Sequence, residues 1–187
     1  MTEYLIALGS NLPTGEYDLT SILNTALDQL NQAQGICVDC ASAFYRTPAW
    51  PEGSGPDFLN GAAVVQSSKS PYAILQELHG VEKSLGRERK VRWGARTCDL
   101  DLIAAGGCVL PDVETVSDWI DHGPDPMRVP DELLLPHPRL HERAFVLVPL
   151  CEIAPNWVHP VLRLTVAEMV ARLPEWEVEA VERIDTR

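Results

Sequence analysis

Two stretches with helical periodicity, each set between strand-like runs, limit the folds open to this chain. Leu19, Ile22, Leu23, Ala26, Leu27 and Leu30 share one face, which predicts an amphipathic helix over roughly 15–32. Ile74, Leu75, Leu78, Val81, Glu82 and Leu85 predict a second helix, with Ser70 as its N-cap, Pro71 in its first turn and Gly86 at its end. Before the first helix, residues 4–8 read as a buried strand stopped by Gly9-Ser10-Asn11. Between the helices, 36–46 and 58–66 read as strands separated by a Pro/Gly-rich loop, and 97–103 follows as another. The order β-α-β-β-α-β gives an α+β fold, an antiparallel sheet with both helices on one face. At 187 residues with 45% hydrophobic content, one domain with a single core is the expectation.

Residues 86–103 carry the densest chemistry. Arg87, Arg89, Lys90, Arg92 and Arg96 place five cations within ten residues of a chain whose formal net charge is -12. Asp99 and Asp101 follow. In a strand they share one face, while Cys98, Leu100 and Leu102 point to the other. Paired carboxylates repel unless a cation lies between them, and Mg²⁺ is the hard ion usually held by one or two carboxylates together with substrate phosphates. Neighbouring guanidinium groups suit those phosphates bidentately. A solvated charge run beside an edge strand is the alternative.

Other motifs are less specific. His137 stands between Pro136 and Pro138, either aimed at a phosphate or simply part of a turn. Phe58 and Asn60, across the Pro/Gly loop from residues 44–48, suit a flat heteroaromatic ligand or an ordinary core. Residues 111–132, with seven acidic residues, four prolines and one cation, read as a surface insertion or mobile loop. Beyond it, 144–150 reads as a strand and 165–173 as a short helix. Cys37 and Cys40 have C-x-x-C spacing but no second pair of ligands, and the odd count of five cysteines fits reduced thiols. Neither a G-x-G-x-x-G nor a P-loop pattern occurs. The acidic balance argues against nucleic-acid binding, and no apolar run is long enough for a membrane span. Met1-Thr2-Glu3 leads straight into a strand-like run without a signal pattern, so a cytoplasmic location is expected.

Taken together, Gly9-Ser10-Asn11, residues 44–48, residues 56–60, residues 82–101 with Arg92-Trp93-Gly94 and Asp99-Leu100-Asp101, and residues 135–155 with Pro136-His137-Pro138 closely resemble the 6-hydroxymethyl-7,8-dihydropterin pyrophosphokinases of folate biosynthesis. The resemblance implies a ferredoxin-like βαββαβ fold with C-terminal additions. It also implies transfer of pyrophosphate from ATP, the co-substrate, to the hydroxymethyl group of a dihydropterin, with two Mg²⁺ ions and release of AMP. Asp99 and Asp101 would hold the metals, and Asp101 would accept the hydroxyl proton. Arg87 and Arg96, with Arg89, Lys90 and Arg92, would clamp phosphates, and Trp93 would order that segment. His137 and Arg143 would meet the phosphates from the opposite side, with Glu82 and His79 on the nucleotide. Phe58 and Phe145 would sandwich the pterin, Asn60 would read its amide edge, and Gly9, Thr47, Pro48 and Trp50 would complete the pocket. A monomer is expected. Three departures stand out: Glu132 where a basic residue is common, His79 where a glutamine is common, and the length of 111–132. A catalytically silent pterin- or nucleotide-binding module and a Mg²⁺-dependent nucleotidyltransferase are the rival readings.

Overall fold

A computed structural model describes residues 1–15, 17–49, 55–86, 97–123 and 130–184. The elements run β1 (Thr2–Ser10), α1 (Leu19–Gln32), β2 (Ile36–Ala41), β3 (Tyr45–Thr47), β4 (Phe58–Ser67), α2 (Pro71–Ser84) and β5 (Asp99–Ala105). They continue with α3 (Val113–Asp121), α4 (Ala144–Ile153), α5 (Val166–Val170), α6 (Glu175–Glu179) and β6 (Glu182–Arg183). The strands form one sheet in the order β5-β1-β4-β3-β6, with β2 paired to the far end of β4. All named strand pairs are antiparallel.

Local chemistry sets the helix starts. Asp18 caps α1 by accepting from the Ser21 N–H, and Ser70 caps α2 by accepting from the Ala73 N–H, with Pro71 in its first turn. The apolar stripes of α1 and α2 then pack on one face of the sheet, where Ile22, Leu23, Leu30, Ile74 and Leu78 meet Tyr4, Ile6, Leu8, Leu100 and Leu102. Strand alternation sends Leu5, Ala7, Ala62 and Val64 to the opposite face, which is covered in part by Val146, Leu147 and Leu150 of α4 and by Val166 and Met169 of α5.

Three expectations change. Residues 144–150 form helix α4 rather than a strand. The run is apolar all round because Ala144, Val146, Leu147, Pro149 and Leu150 are all buried, and a fully apolar run does not distinguish helix from strand by period. The expected 36–46 strand divides into β2 and β3, since Ser42 and Phe44 turn inward between them. Within 111–132 lies a genuine helix, α3, capped by Asp112 and anchored by buried Val116. Among the described residues no helix is long and apolar enough to cross a membrane.

Candidate active site

The register of the sheet lines up the polar residues on the face away from α1 and α2, at the end α4 and α5 leave open. Tyr45 pairs with Asn60, Asn60 with Gly9, and Gly9 with Asp99, so one row crosses four strands. Thr47 pairs with Phe58 one step outward, and Asp101 pairs with Ala7 one step inward. The alternation of β5 holds as expected: Asp99 and Asp101 are half-buried on the open face, and Cys98, Leu100 and Leu102 enter the core. Gly9 keeps the floor of the row low. A Cβ there would lie 3.3 Å from Asn60 Oδ1 and 3.9 Å from Asp99 Cβ, filling the space between them. Asn60 is buried and its Nδ2 donates to Thr47 Oγ1 at 2.7 Å, which fixes the carboxamide with Oδ1 toward Gly9. Phe58 is half-buried and Pro48 exposed.

A second group comes from the chain after β5. Between Leu5 and Ile6 the β1–β5 register shifts by one, leaving Ile103 as an extra residue in the ladder. The Ile103 carbonyl accepts from the His137 N–H at 2.8 Å, so the bulge docks the Pro136-His137-Pro138 segment against the aspartate strand. His137 Nδ1 accepts from the Arg139 N–H at 3.1 Å, which leaves the ring proton on Nε2. Burial, then the Arg143 and Arg139 cations, push the His137 pKa down to about 3, so the imidazole is neutral. Arg143 caps α4. Burial lowers its pKa while the charges of Asp101 and Asp99 act to raise it, so its cation is electrostatically coupled to both carboxylates. Its Cζ lies 5.7 Å from the centroid of Phe145, and that ring is 40% exposed on the first turn of α4.

The row is held from below and beside. Glu82, expected on the nucleotide, is instead buried at 2% exposure on the α2 side, and its Oε1 accepts from the Leu100 N–H at 2.9 Å. It supports the strand bearing both aspartates through the backbone. His79 lies half-buried on α2, the helix packed on the sheet face away from the aspartates. Ser10 Oγ donates to the Thr97 carbonyl and ties the end of β1 to the start of β5. Glu152 belongs to no motif in the sequence that marks a site. Its Oε2 accepts from the Tyr45 hydroxyl at 2.7 Å and from the Ala43 N–H at 3.1 Å. Burial and this bond push the Tyr45 pKa up to about 12. An acid in the last turn of a helix opposes the helix dipole, and that misfit was the available signal for a specific partner. Trp50, Arg87, Arg89, Lys90, Arg92, Trp93 and Arg96 lie outside the described residues.

Among the described residues no three histidine, cysteine or carboxylate groups converge as metal ligands. The Asp99–Asp101 pair alone has the chemistry of a hard-cation site of the Mg²⁺ type, in which one or two carboxylates would be joined by water and substrate oxygens. Fold and site together define a small α+β protein whose antiparallel sheet carries a pair of carboxylates at one end, with the Arg143 cation and the His137 imidazole on the same side. The chain belongs to the 7,8-dihydro-6-hydroxymethylpterin-pyrophosphokinase (HPPK) family, whose model matches residues 5–155. A 2-amino-4-hydroxy-6-hydroxymethyldihydropteridine pyrophosphokinase of Methylorubrum extorquens is 36% identical over 182 residues, covering 97% of this chain and all of the relative. One from Haemophilus influenzae is 34% identical over 155 residues, 83% of each chain. In structure the chain is similar to a Plasmodium falciparum HPPK-DHPS, with a TM-score of 0.70 at 15% identity over 99% of this chain. That likeness shows the fold alone, and this chain spans 48% of that longer one.

Proposed function

We propose that this protein transfers the terminal pyrophosphoryl group of ATP to the hydroxymethyl group of 6-hydroxymethyl-7,8-dihydropterin, releasing AMP, in folate biosynthesis. The observation that carries this reading is the cross-strand row from Asn60 over Gly9 to Asp99. Two strand spacings of about 4.8 Å separate its ends, a span of about 10 Å that matches a fused bicyclic ring with a short side arm. The pterin lies along the row with its amide edge at Asn60 Oδ1 and its hydroxymethyl group toward the aspartates. Phe58 and Phe145 take its two faces. Gly9, Thr47, Pro48 and Trp50 close the pocket.

Asp99 and Asp101 are the groups to hold two Mg²⁺ ions, which when bound supply charge neutralisation of the triphosphate. The substrate hydroxyl attacks the β-phosphorus, the bond from that phosphorus to the oxygen bridging it to the α-phosphate breaks, and AMP leaves with that oxygen. Asp101 accepts the hydroxyl proton. Neutral His137 donates from Nε2 to a phosphate oxygen without needing a charge, and Arg143 supplies a cation from the same side. Arg87 and Arg96, with Arg89, Lys90, Arg92 and Trp93, clamp the phosphates from the other side. In this reading the protein is a cytoplasmic monomer of one domain with an insertion at 111–132. Its sheet is ferredoxin-like, a reading supported by the β5-β1-β4 order with β2 and β3 beyond β4.

The test is chromatography of the products of ATP and Mg²⁺ with and without hydroxymethyldihydropterin. AMP formed only with the pterin supports the transfer. Release of pyrophosphate would indicate a nucleotidyltransferase, and binding without AMP a silent module.

A further inference from the structure

The family match ends at residue 155, yet the last described strand returns to β3, whose Tyr45 begins the cross-strand row. β3 has three residues and would be an open edge beside β4 if nothing covered it. β6 covers it: Tyr45 pairs with Arg183, Arg46 with Glu182, and the Ile184 N–H donates to the Phe44 carbonyl at 3.0 Å. From the sheet face, Glu152 accepts from the Tyr45 hydroxyl and the Ala43 N–H, while its Oε1 lies 3.5 Å from Arg183 Nη2. The charge pair contributes little of this, since the Arg183 side chain is 63% exposed. The ladder and the two hydrogen bonds to Glu152 are what hold segment 43–47. That segment ends in Thr47, the hydroxyl that orients Asn60.

We propose that residues 182–184, acting with Glu152, form a positioning strap that sets the Thr47–Asn60 pair for its ligand. The inference rests on the reading of Asn60 as the pterin contact. Neither Glu152 nor the strap touches the reacting atoms. The strap acts on pterin recognition and leaves the nucleotide side, reached through β5, His137 and Arg143, as it is.

Steady-state kinetics on the full chain test it with Ile184→Pro, which removes the N–H donor, and with Glu152→Ala, Glu152→Gln and Tyr45→Phe. Ile184→Pro and Glu152→Ala should raise KM for the dihydropterin about three- to tenfold, well short of the roughly hundredfold that a full 1 Å misplacement can cost. KM for ATP should stay within about twofold. Glu152→Gln, which keeps one acceptor, should restore part of the loss. Tyr45→Phe removes a single bond and keeps the test valid if a harsher variant fails to fold. Equal rises in both KM values, or an unchanged pterin KM at native melting temperature, would overturn the strap. No AMP from the wild-type chain would instead overturn the proposed activity.

Discussion

Asp99 and Asp101 lie half-buried at the start of β5, where both carboxylates interact with the Arg143 guanidinium. Neither supports the core, so Asp99→Ala and Asp101→Ala should keep the wild-type melting temperature while turnover falls by several orders of magnitude. Near-normal turnover in either variant, measured at saturating Mg²⁺, would remove the metal assignment. Phe145 gives a sharper contrast. At 40% exposure it contributes little to the core, and its ring already has Arg143 above one face. Phe145→Ala should weaken pterin binding by about 1–3 kcal/mol, the range for a lost base-on-aromatic stack, with a small change in melting temperature. Calorimetry with an ATP analogue should show a smaller loss. Equal losses for both ligands would show that the ring orders α4 rather than stacking on the pterin.

At the scale of elements, α2 and β5 are joined by a buried carboxylate rather than by apolar contact alone. Glu82→Ala leaves the Leu100 N–H buried without its acceptor and should cost about 1–3 kcal/mol in denaturant melts. Turnover should fall with it, because the same strand carries both aspartates. Glu82→Gln retains an acceptor and should recover most of the stability. Equal stability of the Ala variant and wild type would show that this bond does not hold the strand. The bulge at Ile103 has the complementary role on the other face, giving the His137 segment a carbonyl to dock on. Gly61 shows how closely these elements approach: a Cβ there would lie 2.9 Å from Phe44 Cδ1.

For the molecule as a whole, two neutral imidazoles make stability depend on pH. His159 is fully buried, its Nδ1 accepts from the Val161 and Leu162 N–H groups, and Trp157 meets its ring edge-on. Burial, then nearby His141, push its pKa from 6.5 down to about 4, while His137 falls to about 3. Between those values and 6.5 the unfolded chain binds more protons than the native one, so stability rises with pH across that window. Lowering the pH from 6.5 toward 4 should therefore destabilise the protein, by up to about 1.4 kcal/mol per pH unit for each group. Urea melts at a series of pH values check this. His159→Asn, with an oxygen placed to accept where Nδ1 does, should flatten the slope, and an unchanged slope would exclude His159 as its source.

Much of this was legible in the residues. Helix stripes, the Ser70-Pro71 start and the alternation of Asp99-Leu100-Asp101 are local patterns, set by 3.6- and 2-residue periods, and they place the aspartates on the correct face without any knowledge of neighbours. Composition misled where burial is uniform or where few apolar residues suffice: α4 has no polar face to reveal its period, and α3 is held by Val116 and its Asp112 cap inside an acidic segment. What only the tertiary structure decided is register and long-range pairing. The row from Tyr45 through Asn60 and Gly9 to Asp99, the bulge that receives His137, the inward turn of Glu82 and the return of β6 to β3 join residues well separated along the chain. No local preference encodes them. They follow from burying both faces of one sheet at once, which leaves a single register that satisfies both cores.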